Sequence, residues 1–313
     1  MYTVLLALTP ALVWSIYLFG LQVLWIVITS CVSAIATEAI AQVMMRRKLT
    51  IWDGSALLTG LLLAFTLPVR TPLWLPIVGS SFAILVAKQA FGGLGCNFIN
   101  PALAGRAFLT ASFPEIMTNR WSTPVMGTIS GAEGVTDATP LGMIRIYSDV
   151  PSVISQLGLP NTLINLFFGF HGGCLGETSV LFLSIGGLFL IWIKYIDWRI
   201  PLSYIGTVCI LMELFYLFGL TKVDGLFHIL VGGLFLGAFF MATDYVTSPI
   251  TRKGRCIFGV GCGIITSVIR IWGSYPEGVC YSILLMNCVV PLIDRTMGTK
   301  KLGEPHYGER RIR

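Results

Sequence analysis

Charge is scarce in this sequence. Asp, Glu, Lys and Arg together make up only 12% of its 313 residues, about half of the roughly 25% found in an ordinary soluble domain. A water-exposed globule of this size is thereby excluded, because too little polar surface exists to cover it. Histidine is nearly absent at three residues, and the eight cysteines (Cys31, Cys96, Cys174, Cys209, Cys256, Cys262, Cys280, Cys288) include no C-x-x-C pair. Neither a zinc site nor a disulfide framework is indicated, and the cysteines read as small apolar packers of membrane helices. The 21 basic residues outnumber the 15 acidic ones, but they are scattered between apolar runs rather than laid along one face, so nucleic acid is not expected as a partner. No basic leader precedes the first apolar run, and a second follows at once, so the sequence is expected to begin inside a span rather than with a cleavable signal.

What remains is apolar. Hydrophobic residues make up 55% of the chain, mean hydropathy is +0.81, and 34 Gly, eight Trp and ten Tyr fit a bilayer, where Gly lets helices approach and aromatics settle at the interfaces. Ten runs qualify as spans: 3–19, 21–42, 53–68, 72–90, 101–112, 177–194, 200–219, 223–242, 256–272 and 278–293. The third, the fifth and a segment near 161–170 are short enough to be half-helices. Alternating these runs from a cytoplasmic start puts 15 of the 21 Lys and Arg inside: Arg46, Arg47, Lys48, Lys88, Lys194, Arg199, Arg252, Lys253, Arg255, Arg295 and five in the tail. Five fall outside (Arg70, Arg120, Arg145, Lys222, Arg270), and Arg106 lies within a span. That asymmetry is the positive-inside bias. The expected fold is an all-α polytopic membrane protein of about ten transmembrane helices, one transmembrane domain over 1–313, with both termini cytoplasmic and the long loop 113–160 outside.

A weak duplication runs through the chain. Asp53-Gly-Ser-Ala-Leu resembles Glu177-Thr-Ser-Val-Leu, and Asn100-Pro-Ala-Leu-Ala-Gly-Arg106 resembles Ser248-Pro-Ile-Thr-Arg-Lys-Gly-Arg255. Two pseudo-repeated halves with broken helices are a common way to build a site within the membrane.

Three stretches are too polar for their surroundings. In Phe91-Gly-Gly-Leu-Gly-Cys-Asn-Phe-Ile-Asn-Pro101, the amides of Asn97 and Asn100 either satisfy a helix break or line a pocket, since irregular backbone at membrane depth survives only when buried or facing a cavity. In the second stretch, Asp244 closes an apolar run beside two threonines. Together with Glu38 and Glu213 it is a candidate polar station on an ion path, because each acid within a span carries a desolvation cost. The third is Gly131-Ala-Glu-Gly-Val-Thr-Asp-Ala-Thr-Pro-Leu-Gly142 in the outer loop. Thr139-Pro140 there reads as a helix cap followed by Pro at the first helical position, a geometry that also favours an anion.

At this loop the chain resembles the D-type membrane subunit of the Rnf ion-translocating electron transport complex, and more distantly the B-type membrane subunit of the sodium-translocating NADH:quinone reductase. That family carries Asp-x-x-Ser/Thr-Gly-Ala-Thr where FMN is joined through its phosphate to the last threonine. The matching residues here are Glu133-Gly-Val-Thr136-Asp137-Ala138-Thr139, with Glu133 in place of Asp and Asp137 in place of Gly. The resemblance extends to the Gly-Gly-Leu-Gly-x-Asn…Asn-Pro-Ala…Gly-Arg segment, Gly176-Glu-Thr-Ser, Met241-Ala-Thr-Asp and Tyr275-Pro-Glu-Gly-Val. It implies covalent FMN on Thr139 as an electron relay, with Thr136 and Ala138 beside it and a second, non-covalent flavin such as riboflavin within the bundle. It also implies partner subunits bearing another FMN and iron–sulfur centres, a bacterial or archaeal cytoplasmic membrane, and electron transfer between ferredoxin and NAD coupled to sodium or proton movement. No catalytic acid, base or metal ligand is expected, since the flavin performs the redox step. A reading of a different class is a non-redox channel or transporter for a small polar solute, which would use the same broken halves and have no need of Thr139.

Overall fold

A computed structural model describes residues 1–119, 121, 141–142, 162–177, 179–273 and 277–297 of the chain. The described residues form helices: α1 (Tyr2–Phe19), α2 (Gln22–Met44), α3 (Ser55–Phe65), α4 (Trp74–Phe82), α5 (Pro101–Ser112), α6 (Pro114–Asn119), α7 (Thr162–Phe168), α8 (Val180–Trp192), α9 (Arg199–Leu217), α10 (Gly225–Leu230), α11 (Leu234–Leu236), α12 (Arg252–Trp272) and α13 (Val279–Met297). α1, α2, α9, α12 and α13 are long and apolar enough to cross a bilayer, whereas α3, α4 with its extension and α8 are shorter. Each of the ten apolar runs contains a helix. The chain is an all-α polytopic membrane protein.

Local chemistry sets the ends of these helices. Asn100 caps α5, its Oδ1 accepting from Ala102 N at 3.0 Å and Leu103 N at 3.3 Å, with Pro101 in the first turn. Asp224 does the same for α10 through Phe227 N at 3.1 Å, and Thr251 for α12 through Gly254 N at 3.1 Å. Each side chain supplies an acceptor to an N–H that the helix cannot pair internally. Two helices widen before they end. α4 continues as a π-helical stretch over Ala83–Gln89, and α11 over Gly237–Met241. Such wide turns shift the helical register and are frequent at functional sites.

Short helices pack in like ways in the two halves of the chain. α2 packs on α3 and α4, and α9 packs on α10 and α12. The short helix α3 follows Thr50-Ile-Trp-Asp53-Gly54, and α10 begins at the glycine of Thr221-Lys-Val-Asp224-Gly225. Asp53 and Asp224 thus stand at like places at the starts of these two helices. The five-residue likeness is hidden because the second copy continues with Leu-Phe-His, where the first has Ser-Ala-Leu.

Both short helices stop inside the bundle. Beyond α3, residues 65–68 meet the non-helical segment 171–177: Leu175 N donates to Leu67 O at 3.1 Å and Gly176 N to Phe65 O at 2.7 Å. Gly176 is required there, because a Cβ would lie 2.6 Å from that of Phe65. α10 and α11 are separated by Gly232 and Gly233, the former at φ 81°. These breaks free backbone groups at membrane depth, and the sites gather around them.

Candidate functional site

Two polar regions lie within the bundle, toward opposite sides of the membrane as the charge asymmetry orients it. The inner one is a cavity of about 230 Å³. Its polar wall is made by Ser55, Lys88, Asn97, Asn100, Thr243 and Asp244, and its apolar wall includes Leu62, Phe239 and Phe240. The start of α3 and the two π-helical stretches position these groups. Asn100, besides capping α5, donates its amide to Met241 O at 3.2 Å, joining the two halves. Asn100 thus both caps the helix after the break and lines the cavity. The buried Oδ1 of Asn97 has no hydrogen-bond partner among the described residues.

Behind the cavity sits a buried ion pair. Lys88 Nζ is 2.7 Å from Glu38 Oε1, and both side chains are 1% exposed. Lys88 also donates to Ser55 Oγ at 2.5 Å, and Glu38 Oε1 accepts from Gln89 at 2.8 Å and Gln42 at 3.3 Å. Glu38 is thus held by a cation 50 positions away, a pairing that no local pattern announces. Glu213 lies elsewhere. It is exposed near the end of α9, and its Oε2 accepts from Gly225 N at 2.9 Å, so it steadies the start of α10. Asp244 lines the cavity and accepts from Thr247 Oγ1 at 3.2 Å. The three acids named from sequence do not converge.

The outer region is built around Arg106 on α5. Its Nη1 donates to Thr66 O at 2.6 Å and contacts Cys174 Sγ at 3.4 Å, and its Nη2 pairs with Glu277 at the start of α13. Glu177 Oε1 is 4.0 Å from the same guanidinium, and Glu177 Oε2 accepts from Cys174 N at 3.4 Å. Arg106 is 12% exposed, Glu177 4% and Glu277 13%. Sequence reasoning misses this cluster. The available signal is Arg106 itself, a base inside a span, which demands a counter-charge.

Thr136, Ala138 and Thr139 lie outside the described residues. Leu141, two positions after Thr139, is buried with Leu166, Val223, Phe227 and Val231. It stands beside the α10–α11 break, where a Cβ on Gly232 would lie 3.1 Å from both Leu141 Cδ1 and Arg270 Nη2. Arg270 donates to His228 O and, at 3.2 Å, to Val231 O, serving the carbonyl end of α10.

Residues 1–303 match the NQR2, RnfD, RnfE family. The chain is 48% identical, over 94% of its length and 87% of the relative's, to the D-type subunit of the Na(+)-translocating ferredoxin:NAD(+) oxidoreductase complex of Acetobacterium woodii. It is 47% identical, over 97% and 91%, to the proton-translocating counterpart of Clostridium ljungdahlii. Against the D-type subunit of the ion-translocating oxidoreductase complex of Stutzerimonas stutzeri it is 42% identical over 99% and 93%. With a family match across nearly the whole sequence and relatives of this identity at nearly full length, the chain belongs to the NQR2, RnfD, RnfE family.

Proposed function

We propose that this chain carries FMN on Thr139 and works as an electron relay, as the D-type membrane subunit of an ion-translocating ferredoxin:NAD oxidoreductase complex. The observation that carries the subunit's role is identity of 42 to 48% over nearly the full length to three subunits of ion-translocating oxidoreductase complexes, two of them named for ferredoxin and NAD(+). Its setting is the bacterial inner membrane, within a multi-subunit assembly. The flavin proposal rests on the motif ending at Thr139 and on the burial of Leu141 just beyond it. In this reading Thr139 is an anchor, Thr136 and Ala138 complete the recognition sequence, and sister subunits supply a second FMN and the iron–sulfur centres.

The inner cavity is the place for a second, non-covalent flavin. The unpaired Asn97 oxygen offers an acceptor for a ring N–H, Asn100 and Asp244 add polar contacts, and Phe239 and Phe240 give a flat apolar wall. Buried acceptors left without a donor are costly, and a ligand that supplies one removes that cost.

One gel tests both flavins. After acid denaturation of the purified complex, this polypeptide should retain yellow flavin fluorescence, Thr139→Ala should abolish that band, and Asn97→Leu should lower the flavin released into the supernatant without touching the band. A wild-type polypeptide without fluorescence would overturn the Thr139 assignment and favour the solute-channel reading of the same broken helices. Glu38, Glu213 and Asp244 are proposed as polar stations of the ion path on the strength of their positions in or beside spans. Glu38→Gln, Glu213→Gln and Asp244→Asn should each reduce ion uptake driven by electron transfer in vesicles; full uptake in all three would end that proposal.

A further inference from the structure

We infer that Lys88, Ser55 and Asp53 form a proton relay between the inner cavity and the water at the end of the bundle where α2 runs out into Arg46-Arg47-Lys48. The inference rests on the reading of that cavity as the seat of a non-covalent flavin, and it names the protein groups that move the proton accompanying its redox change.

An unbroken chain of hydrogen bonds leads out of the cavity. Lys88 Nζ donates to Ser55 Oγ at 2.5 Å, and Ser55 Oγ donates to Asp53 Oδ1 at 2.6 Å. Lys88 and Ser55 both line the cavity. At the far end Asp53 is partly exposed, next to Trp52, which is 89% exposed. Ser55 N also donates to Asp53 Oδ1, at 2.8 Å, so one oxygen takes both donors. The other oxygen, Oδ2, has no hydrogen-bond partner among the described residues, and a proton reaching Asp53 finds a lone pair there.

The donors point away from the cavity, which is the order in which a proton leaves it. Lys88 passes a proton to Ser55, Ser55 passes its own to Asp53, and Asp53 releases it to water. The Lys88 amine then takes up the proton set free when the flavin is oxidised: its N–H bond re-forms as the ligand's N–H breaks, and the electrons go to the redox centres of the partner subunits. On reduction the same atoms run in reverse, once the Ser55 hydroxyl has turned. A buried lysine changes readily between its charged and neutral forms. Glu38 would be stranded by that change, since an unpaired buried charge is costly. Two amides prevent it. Glu38 Oε1 accepts from Gln89 at 2.8 Å and Gln42 at 3.3 Å besides its 2.7 Å contact with Lys88, and the π-helical stretch carries Lys88 and Gln89 inward together, each 1% exposed. Two other charged groups lie near. Asp244, the other acid on the cavity wall, accepts from Thr247, and the exposed Arg47 approaches Gln89 from outside, since a Cβ on Gly93 would lie 3.7 Å from Gln89 Oε1 and 3.9 Å from Arg47 Nη1.

Stopped-flow oxidation of the pre-reduced, purified complex in weak buffer tests the relay, with a pH-indicator dye reporting the proton and absorbance reporting the flavin. Ser55→Ala removes the hydroxyl between Lys88 and Asp53 and spares the Lys88–Glu38 pair. Proton release accompanying oxidation of the non-covalent flavin should then slow by about a hundredfold, and Ser55→Thr should restore most of it. Asp53→Asn should slow release as well, and added formate should restore it, a rescue that a merely structural defect does not allow. A Ser55→Ala complex of full flavin content with wild-type proton release overturns the inference. So does a Ser55→Thr complex as slow as Ser55→Ala, or a slow phase that follows Asp244→Asn instead. Where the variants fail to assemble, infrared difference spectra of the wild type decide: flavin oxidation should raise a transient protonated-carboxyl band that shifts in deuterium oxide, and its absence overturns the relay. A wild-type complex that releases no flavin on acid denaturation would instead overturn the flavin reading of the cavity, so the two failures are distinguishable.

Discussion

At the scale of single residues, the acids of this chain divide by whether a base meets them. Glu38 is neutralised by Lys88 and hydrogen-bonded by two glutamines, and the bundle is tied together there, because α2, α3 and the end of α4 all contribute. Removing one member of a buried pair strands the other charge, at a typical cost of about 3–5 kcal/mol, while replacing both by apolar groups is often nearly neutral. Lys88→Met should therefore lower the unfolding free energy of the assembled complex, measured by denaturant titration, by an amount in that range, and Glu38→Met combined with Lys88→Met should recover most of it. A single variant as stable as wild type would show that the pair contributes nothing. Glu38 is visible in the sequence as an acid in an apolar run. Lys88 reads there as a topology signal, and nothing local indicates that it turns inward.

At the scale of elements, the turns between α8 and α9 and before α12 are held by a small charge network. Asp197, between α8 and α9, accepts from Arg199 at 2.9 Å and from Arg255 of α12 at 2.8 Å. Burial acts to raise its carboxyl, and the hydrogen bonds from Arg255 and Arg199 outweigh it, leaving the group below its ordinary value. A carboxylate lowered on folding stabilises the fold above its unfolded pKa, about 3.9 for Asp, and that stabilisation fades as pH falls through the folded value beneath it. Melting of the complex should accordingly be lower for Asp197→Asn than for wild type at neutral pH, with the two converging in strong acid. Parallel curves at all pH values would assign the effect to packing alone. The helices themselves are legible in the sequence: every apolar run contains one, and α3 falls on a run expected to be short, whereas the break after α10 lies in the 223–242 run, which reads as a whole span. Their exact partners are not, because the Asp-Gly starts of α3 and α10 are related by position in the fold more clearly than by the residues that follow.

At the scale of the whole molecule, two broken helices, α3 and α10, leave an inner cavity and an outer charge cluster separated by the packed centre of the bundle. Which side each faces depends on the orientation read from the basic residues. Cys96 is exposed in the loop before α5 and should lie on the cytoplasmic side. In an otherwise cysteine-free variant, a membrane-impermeant maleimide should label it in inverted vesicles and spare it in intact cells. Labelling from outside would reverse the assignment of both sites. The sequence alone determined the membrane class and the positions of the apolar helices, because each is written in local composition or in contiguous residues. Only the tertiary structure decided that Arg106, Cys174, Glu177 and Glu277 form one cluster, and that Lys88 answers Glu38. These groups come from segments up to 171 positions apart, and a buried charge finds its partner through packing, which no local pattern records.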